Sequence, residues 1–149
     1  AVLQRLIEQG PVFSNCVLMF QREVVDRITA EPGNSDRGFL TVITEAYMHT
    51  ERLFDVPPAA FRPAPKVWSS VVSMRSCPGP DNFERFRRLV STAFLQKRKT
   101  LFNNLRSEFP DARELIVSAG IDPTRRAESL SLDDWKRLDA SLAEKEITE

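Results

Sequence analysis

Glycine is scarce in this chain. It occurs five times, as Gly10, Gly33, Gly38, Gly79 and Gly120. No glycine-rich phosphate or nucleotide loop can be assembled from that spacing, which excludes a self-contained nucleotide-binding fingerprint. Histidine occurs once, as His49. A histidine-based metal site or catalytic triad is excluded with it, and His49 reads as a surface or strand-edge residue. The two cysteines, Cys16 and Cys77, are too few for a disulfide framework and read as free thiols. No apolar run approaches the roughly 18 residues of a membrane span, and residues 1–9 are too charged and short for a secretory signal. A cytoplasmic protein with no membrane partner is expected. There is no excess of charge of either sign, since 21 Lys and Arg balance 21 Asp and Glu. Any electrostatic signal must therefore be local.

What is present divides in two. Residues 1–9 read as a helix from the first position, with Val2, Leu3, Leu6 and Ile7 on one stripe and Gly10-Pro11 as its stop. A helix with no cap before it suggests a chain cut from something longer. Cys16 to Phe20 is a continuous apolar run, as expected of a strand buried on both faces in a parallel sheet. A helix over 21–30 follows, with Val24, Val25 and Ile28 inward, then a short helix over 38–46 and a weak strand over 47–55. Residues 57–65 hold four prolines and cannot be regular structure. They form a stiff loop with one large aromatic, Phe61, in the middle. Residues 67–74 alternate and read as a strand.

Cys77-Pro78-Gly79-Pro80 marks the boundary between residues 1–76 and 77–149. The second part is helical in pattern. Phe83, Phe86, Val90, Ala93 and Phe94 form one amphipathic stripe. Further helices are expected over 100–109, over 112–119 with Gly120 as its C′ residue, and over 132–144 with Ser131 as N-cap. The expected fold is thus an α/β part followed by a small all-α domain.

The strongest local charge signal lies over 85–106. Arg85, Arg87, Arg88, Lys97, Arg98, Lys99 and Arg106 fall there with no acid between them. About eleven residues bring a helix back to nearly the same angle, which would align Arg87 with Arg98 and Arg88 with Lys99. A basic face of this kind suits phosphate binding; a solvated helix face is the plainer alternative. Lys97 would share a face with Phe86, so the helix must break or Lys97 must snorkel. In the proline loop, Phe61 either stacks on an unpaired base, with Arg62 and Lys66 holding phosphates, or plugs the core beneath the loop.

Four segments, in this order and spacing, resemble the ribosomal RNA adenine N6,N6-dimethyltransferase family (KsgA type). They are Gln21-Arg22-Glu23-Val24-Val25-Asp26-Arg27-Ile28; Val56-Pro57-Pro58 with Phe61-Arg62-Pro63-Ala64-Pro65-Lys66-Val67 and Ser69; Ala93-Phe94 with Lys97-Arg98-Lys99-Thr100-Leu101 and Asn103-Asn104-Leu105; and Gly120-Ile121-Asp122 with Arg126-Ala127-Glu128 and Leu130-Ser131. The related macrolide-resistance methyltransferases share the proline loop, but the stretch over 120–131 looks more like the KsgA type. The resemblance implies a Rossmann-like methyltransferase domain followed by a helical domain. It also implies S-adenosylmethionine as methyl donor and two adjacent adenosines of small-subunit ribosomal RNA as target. The family's donor loop and its Asn-Leu-Pro-Tyr catalytic motif lie upstream of the stretch matching residues 1–9 and do not occur here. No catalytic or cofactor-binding residue is therefore assigned, and the chain by itself is expected to bind RNA but not the methyl donor.

On this resemblance Phe61 takes the role of the aromatic that stacks on the target adenine. Arg62, Lys66, Arg87, Arg88, Lys97, Arg98, Lys99 and Arg106 become candidate RNA contacts, with the small ribosomal subunit as partner. Three positions depart from the pattern. Trp68 stands where the family often has Asp, Phe102 where a basic residue is common, and Lys97 where Arg is usual, at the cost of bidentate phosphate geometry. If residues 1–76 lack the first strands of such a sheet, an exposed edge is expected to drive self-association. The competing reading is a stand-alone, non-catalytic RNA-binding module. A glycine-rich loop in an in-frame upstream region would decide for the enzyme.

Overall fold

A computed structural model describes residues 2–8 and 13–148, without the side chains of Val2 and Thr148. Helix α1, Val2–Glu8, buries Leu3 and Ile7. The stop expected at Gly10-Pro11 lies outside the described residues. Strand β1 is Asn15–Gln21, followed at once by α2, Arg22–Ile28, and then by α3, Phe39–Tyr47. Strands β2, Met48–Val56, and β3, Ser69–Ser76, flank the proline loop.

The three strands form one sheet in the order β1-β3-β2, and both pairings are antiparallel. This corrects the expectation of a parallel strand buried on both faces. Side chains of β1 alternate in exposure: Cys16, Leu18 and Phe20 face the core, while Val17 and Met19 are exposed. The period of two along a strand forces that division once one face alone is covered. Val25 and Ile28 of α2 are buried, whereas Val24 is only half-buried. A register irregularity between Arg52 and Phe54 leaves Leu53 outside the ladder.

After β3 the chain leaves the sheet through Cys77, whose N–H donates to the Tyr47 carbonyl at 3.0 Å. Neither cysteine is in a disulfide. Gly79 lies against the Tyr47 ring so closely that any side chain would collide with it. The Tyr47 hydroxyl donates to the Pro80 carbonyl. Burial, with help from Asp139, pushes its pKa up to about 12, so it stays a donor. The linker is thereby held rather than loose.

Four helices follow: α4, Phe83–Ala93; α5, Leu101–Leu105; α6, Ala112–Ser118; and α7, Leu132–Thr148. Helix α5 is shorter than the expected span over 100–109, because turns replace it from Arg106 onward. Gly120 takes a φ of 71° after α6, as its C′ role requires. Ser131 caps α7: its Oγ accepts from the Asp134 N–H at 3.1 Å, and the Asp134 carboxylate accepts from the Ser131 N–H at 3.0 Å.

One hydrophobic cluster runs through both parts of the chain, from Leu3 and Val72 to Trp135 and Leu142. Trp135 is fully buried and stacks on Phe94 at 5.8 Å. Arg37 ties the parts together. It is 1% exposed and donates to the carbonyls of Ala30 and Leu130 and to the Glu45 carboxylate. A buried guanidinium with all three nitrogens bonded is tolerated because each partner offsets its lost hydration. No described helix is long and apolar enough to cross a membrane.

Candidate nucleic-acid interface

The proline loop hangs from the end of the sheet where Gln21, Ser69 and Val56 stand side by side. Pro58–Ala60 make a single 3-10 turn, closed by the Phe61 N–H donating to the Pro58 carbonyl at 3.1 Å. The Arg62–Pro63 peptide is cis. The loop is anchored at its far end, where the Arg22 N–H donates to the Trp68 carbonyl at 2.9 Å. Phe61 is half-buried. Arg62 and Lys66 are exposed, as are Val67 and Trp68. A rigid loop with an aromatic flanked by two cations is a suitable platform for an unpaired base and its phosphates.

The helical part is reached from the other end of β3. Eight residues of strand separate the loop from the linker, roughly 25 Å at the usual rise. The proline loop and the linker thus stand at opposite ends of this strand.

Within the helical part the structure sorts the basic residues. Arg87 pairs with Glu84 at 3.0 Å. Arg88 pairs with Glu146 at 3.2 Å and Glu108 at 3.5 Å. Arg85 makes a two-point bond to Asp139, with both contacts at 2.9 Å. The window over 85–106 has no acids of its own, but the fold supplies them from α7, from the turn after α5 and from the residue just before the window. The expected helical alignment of Arg87 with Arg98 is also replaced, because α4 ends at Ala93.

Lys97, Arg98 and Lys99 occupy an exposed turn between α4 and α5. Lys97 neither continues a helix nor snorkels along one; its ammonium donates to the Ser35 carbonyl. The turn is held by Asn104, which is buried and donates to the carbonyls of Ala93 at 2.7 Å and Gln96 at 3.1 Å. Ala93 is the last residue of α4, so its carbonyl has no partner within the helix, and the Gln96 carbonyl in the turn also accepts from the Lys99 N–H at 2.9 Å. Thr100 caps α5, and the Leu101 N–H donates to the Arg125 carbonyl at 2.7 Å. The three cations thus project from a turn whose backbone is pinned on both sides, and no ion pair engages them among the described residues. Arg106 is likewise without a carboxylate partner and lies over the Phe102 ring.

Two residues escaped sequence reading. Arg37 gives no signal, because its partners are distant in sequence. Arg113 lies outside the acid-free window, between Asp111 and Glu114, and only the fold shows that both acids turn to Lys145.

Gly33 and Gly120 have positive φ at isolated turns, and Gly79 is occupied by the Tyr47 ring, so these glycines do not gather into one loop. A cavity of about 490 Å³ beside the linker is lined chiefly by Ile7, Tyr47, Met48, Pro78, Pro80 and Phe83, and is mostly apolar.

Residues 1–144 match the family described as Ribosomal RNA adenine dimethylase, and the chain belongs to it. Among its relatives is the Ribosomal RNA small subunit methyltransferase A of Desulfitobacterium hafniense, 42% identical over 142 residues, covering 91% of this chain and 51% of the relative. The enzyme of that name in Mesorhizobium japonicum is 43% identical over 139 residues, covering 92% of this chain and 49% of the relative. The chain thus spans about half the length of the curated relatives it matches. It shares its fold with a dimethyladenosine transferase from Plasmodium falciparum, at a TM-score of 0.84 and 23% identity over 97% of this chain and 62% of that one. The 23S rRNA methyltransferase ErmE is more distant in fold, with a TM-score of 0.67 and 22% identity over 95% of this chain and 59% of that one.

Proposed function

We propose that this chain is the RNA-facing, carboxyl-terminal half of an S-adenosylmethionine-dependent ribosomal RNA adenine dimethyltransferase. Its target is two adjacent adenosines of small-subunit ribosomal RNA. Residues 1–76 complete the sheet of a Rossmann-like methyltransferase domain and carry the target-base loop. Residues 77–149 form a helical domain that docks on RNA. Phe61 stacks on the flipped adenine, because its amine must leave the base stack to reach a methyl donor. Arg62 and Lys66 hold the flanking phosphates. Lys97, Arg98, Lys99 and Arg106 contact backbone elsewhere on the RNA, while Arg87 and Arg88 contribute through exchange of their carboxylate partners.

The observation that carries this reading is the basic turn over 97–99, which no carboxylate engages among the described residues, in a chain of balanced charge that belongs to an RNA-modifying family. The donor site belongs to the half not spanned here, so this chain binds RNA without the methyl donor. Fluorescence anisotropy with a labelled RNA hairpin tests the first part. Log affinity should fall linearly with log salt, with a slope steeper than about −2 if three or more phosphates are contacted. A slope near zero would overturn it. Calorimetry with S-adenosylmethionine tests the second part, and micromolar binding would sink the claim that the donor site lies elsewhere.

A further inference from the structure

We propose that Arg113 and Arg106 form a phosphate-binding pair mounted on the Phe102 ring, and that it takes the phosphodiester backbone of RNA. The inference rests on the RNA reading above and extends it to a residue outside the acid-free window. The Arg106 guanidinium lies 5.7 Å and that of Arg113 lies 5.1 Å from the centroid of the same ring. Phe102 packs against the hydrophobic core, so the ring is a fixed backing. Stacking on a ring face restrains a guanidinium and leaves its N–H edge free for bidentate bonds to phosphate oxygens.

The surrounding charges leave the pair open. Glu108 is engaged by Arg88 and by the Thr92 hydroxyl. Asp111 and Glu114 are both engaged by Lys145, at 3.5 and 3.1 Å. Three carboxylates within a few residues of the pair are thus turned toward other elements. Two cations lie over one ring with no carboxylate at ion-pair distance among the described residues, and a bound anion relieves their repulsion. The pair also offsets Phe102 standing where the related pattern has a basic residue: two guanidiniums lie over the aromatic at that position.

The test uses the whole chain, a labelled RNA hairpin and a salt titration followed by anisotropy. Arg113→Gln should weaken binding about fivefold to tenfold at low salt and make the salt slope shallower by about 0.7 to 0.9. Arg106→Gln with Arg113→Gln should roughly double the loss of slope. Arg113→Lys should keep the slope and recover only part of the affinity, since an ammonium neither stacks flat nor binds bidentately. The slope separates a lost phosphate contact from partial unfolding, which scales affinity alike at every salt concentration. If the unchanged chain binds with a steep slope and Arg113→Gln matches it, the pair is refuted and the RNA reading stands. If the unchanged chain shows no salt-dependent binding, the RNA reading falls, and the pair with it.

Discussion

Phe61 shows how much one residue's role depends on its surroundings. It is half-buried, which satisfies neither a pure core plug nor a free platform. A side chain already restrained by its surroundings loses little entropy on stacking. Phe61→Ala should therefore lower affinity for an RNA with an unpaired adenine by about 1–3 kcal/mol, roughly fivefold to 150-fold. The control is the same RNA with an abasic site in place of that adenine. Stacking predicts that the loss vanishes there. An equal loss on both RNAs would mean that Phe61 only supports the loop. At the same scale, Arg88 shows that an unpaired cation cannot be inferred from sequence neighbours, since Glu108 and Glu146 reach it from other elements.

The elements that hold the basic turn work through their ends. Asn104 serves the C-terminus of α4, Thr100 the N-terminus of α5, and Ser131 with Asp134 the N-terminus of α7. Burial by itself would push the Asp134 carboxyl up. The bond from the Ser131 N–H and the charge of Arg125 outweigh that and hold it below the usual carboxylate range. A carboxylate whose pKa is lower folded than unfolded adds stability above the unfolded value, near 4, and loses it as pH falls through the folded value. Ser131→Ala should cost about 1 kcal/mol at neutral pH through the lost cap. Asp134→Asn should remove the part of the acid sensitivity that this carboxylate contributes. Thermal melts at neutral pH and near pH 3 check both. A D134N variant that loses as much stability on acidification as the unchanged chain would contradict the assignment.

For the molecule as a whole, the sheet poses an unsolved packing problem. One face is covered by helices. The other carries Val17 at 59% exposure and Phe54 at 58%, with Met19 and half-buried Val71 between them. β1 pairs only with β3 among the described residues, so its second edge offers free backbone N–H and C=O groups. An apolar face beside an open strand edge favours association. The isolated chain should self-associate at high micromolar concentration in light scattering. Val17→Lys with Met19→Lys should shift it toward monomer without loss of the helical core, since both side chains point away from it. A clean monomer of the unchanged chain would refute this.

Local chemistry determined much of the element order. Gly120 after α6, Ser131 before α7 and the four prolines around Phe61 act through φ restriction, capping and a missing N–H, which need no distant partner. The apolar stripe of α4 and the family segments were legible for the same reason. Strand direction was not. A continuous apolar run such as Cys16–Phe20 carries no information about which strand lies beside it or whether the second face is covered. Helix α5 proved shorter than its pattern: its first N–H groups go to the carbonyls of Arg125 and Pro123, and turns replace it from Arg106 onward. Charge was legible only as composition. The sequence by itself determined how many cations lie in 85–106. Only the tertiary structure decided which of them are free, because carboxylates more than 50 residues away neutralise Arg85 and reach Arg88, while those beside Arg113 turn elsewhere.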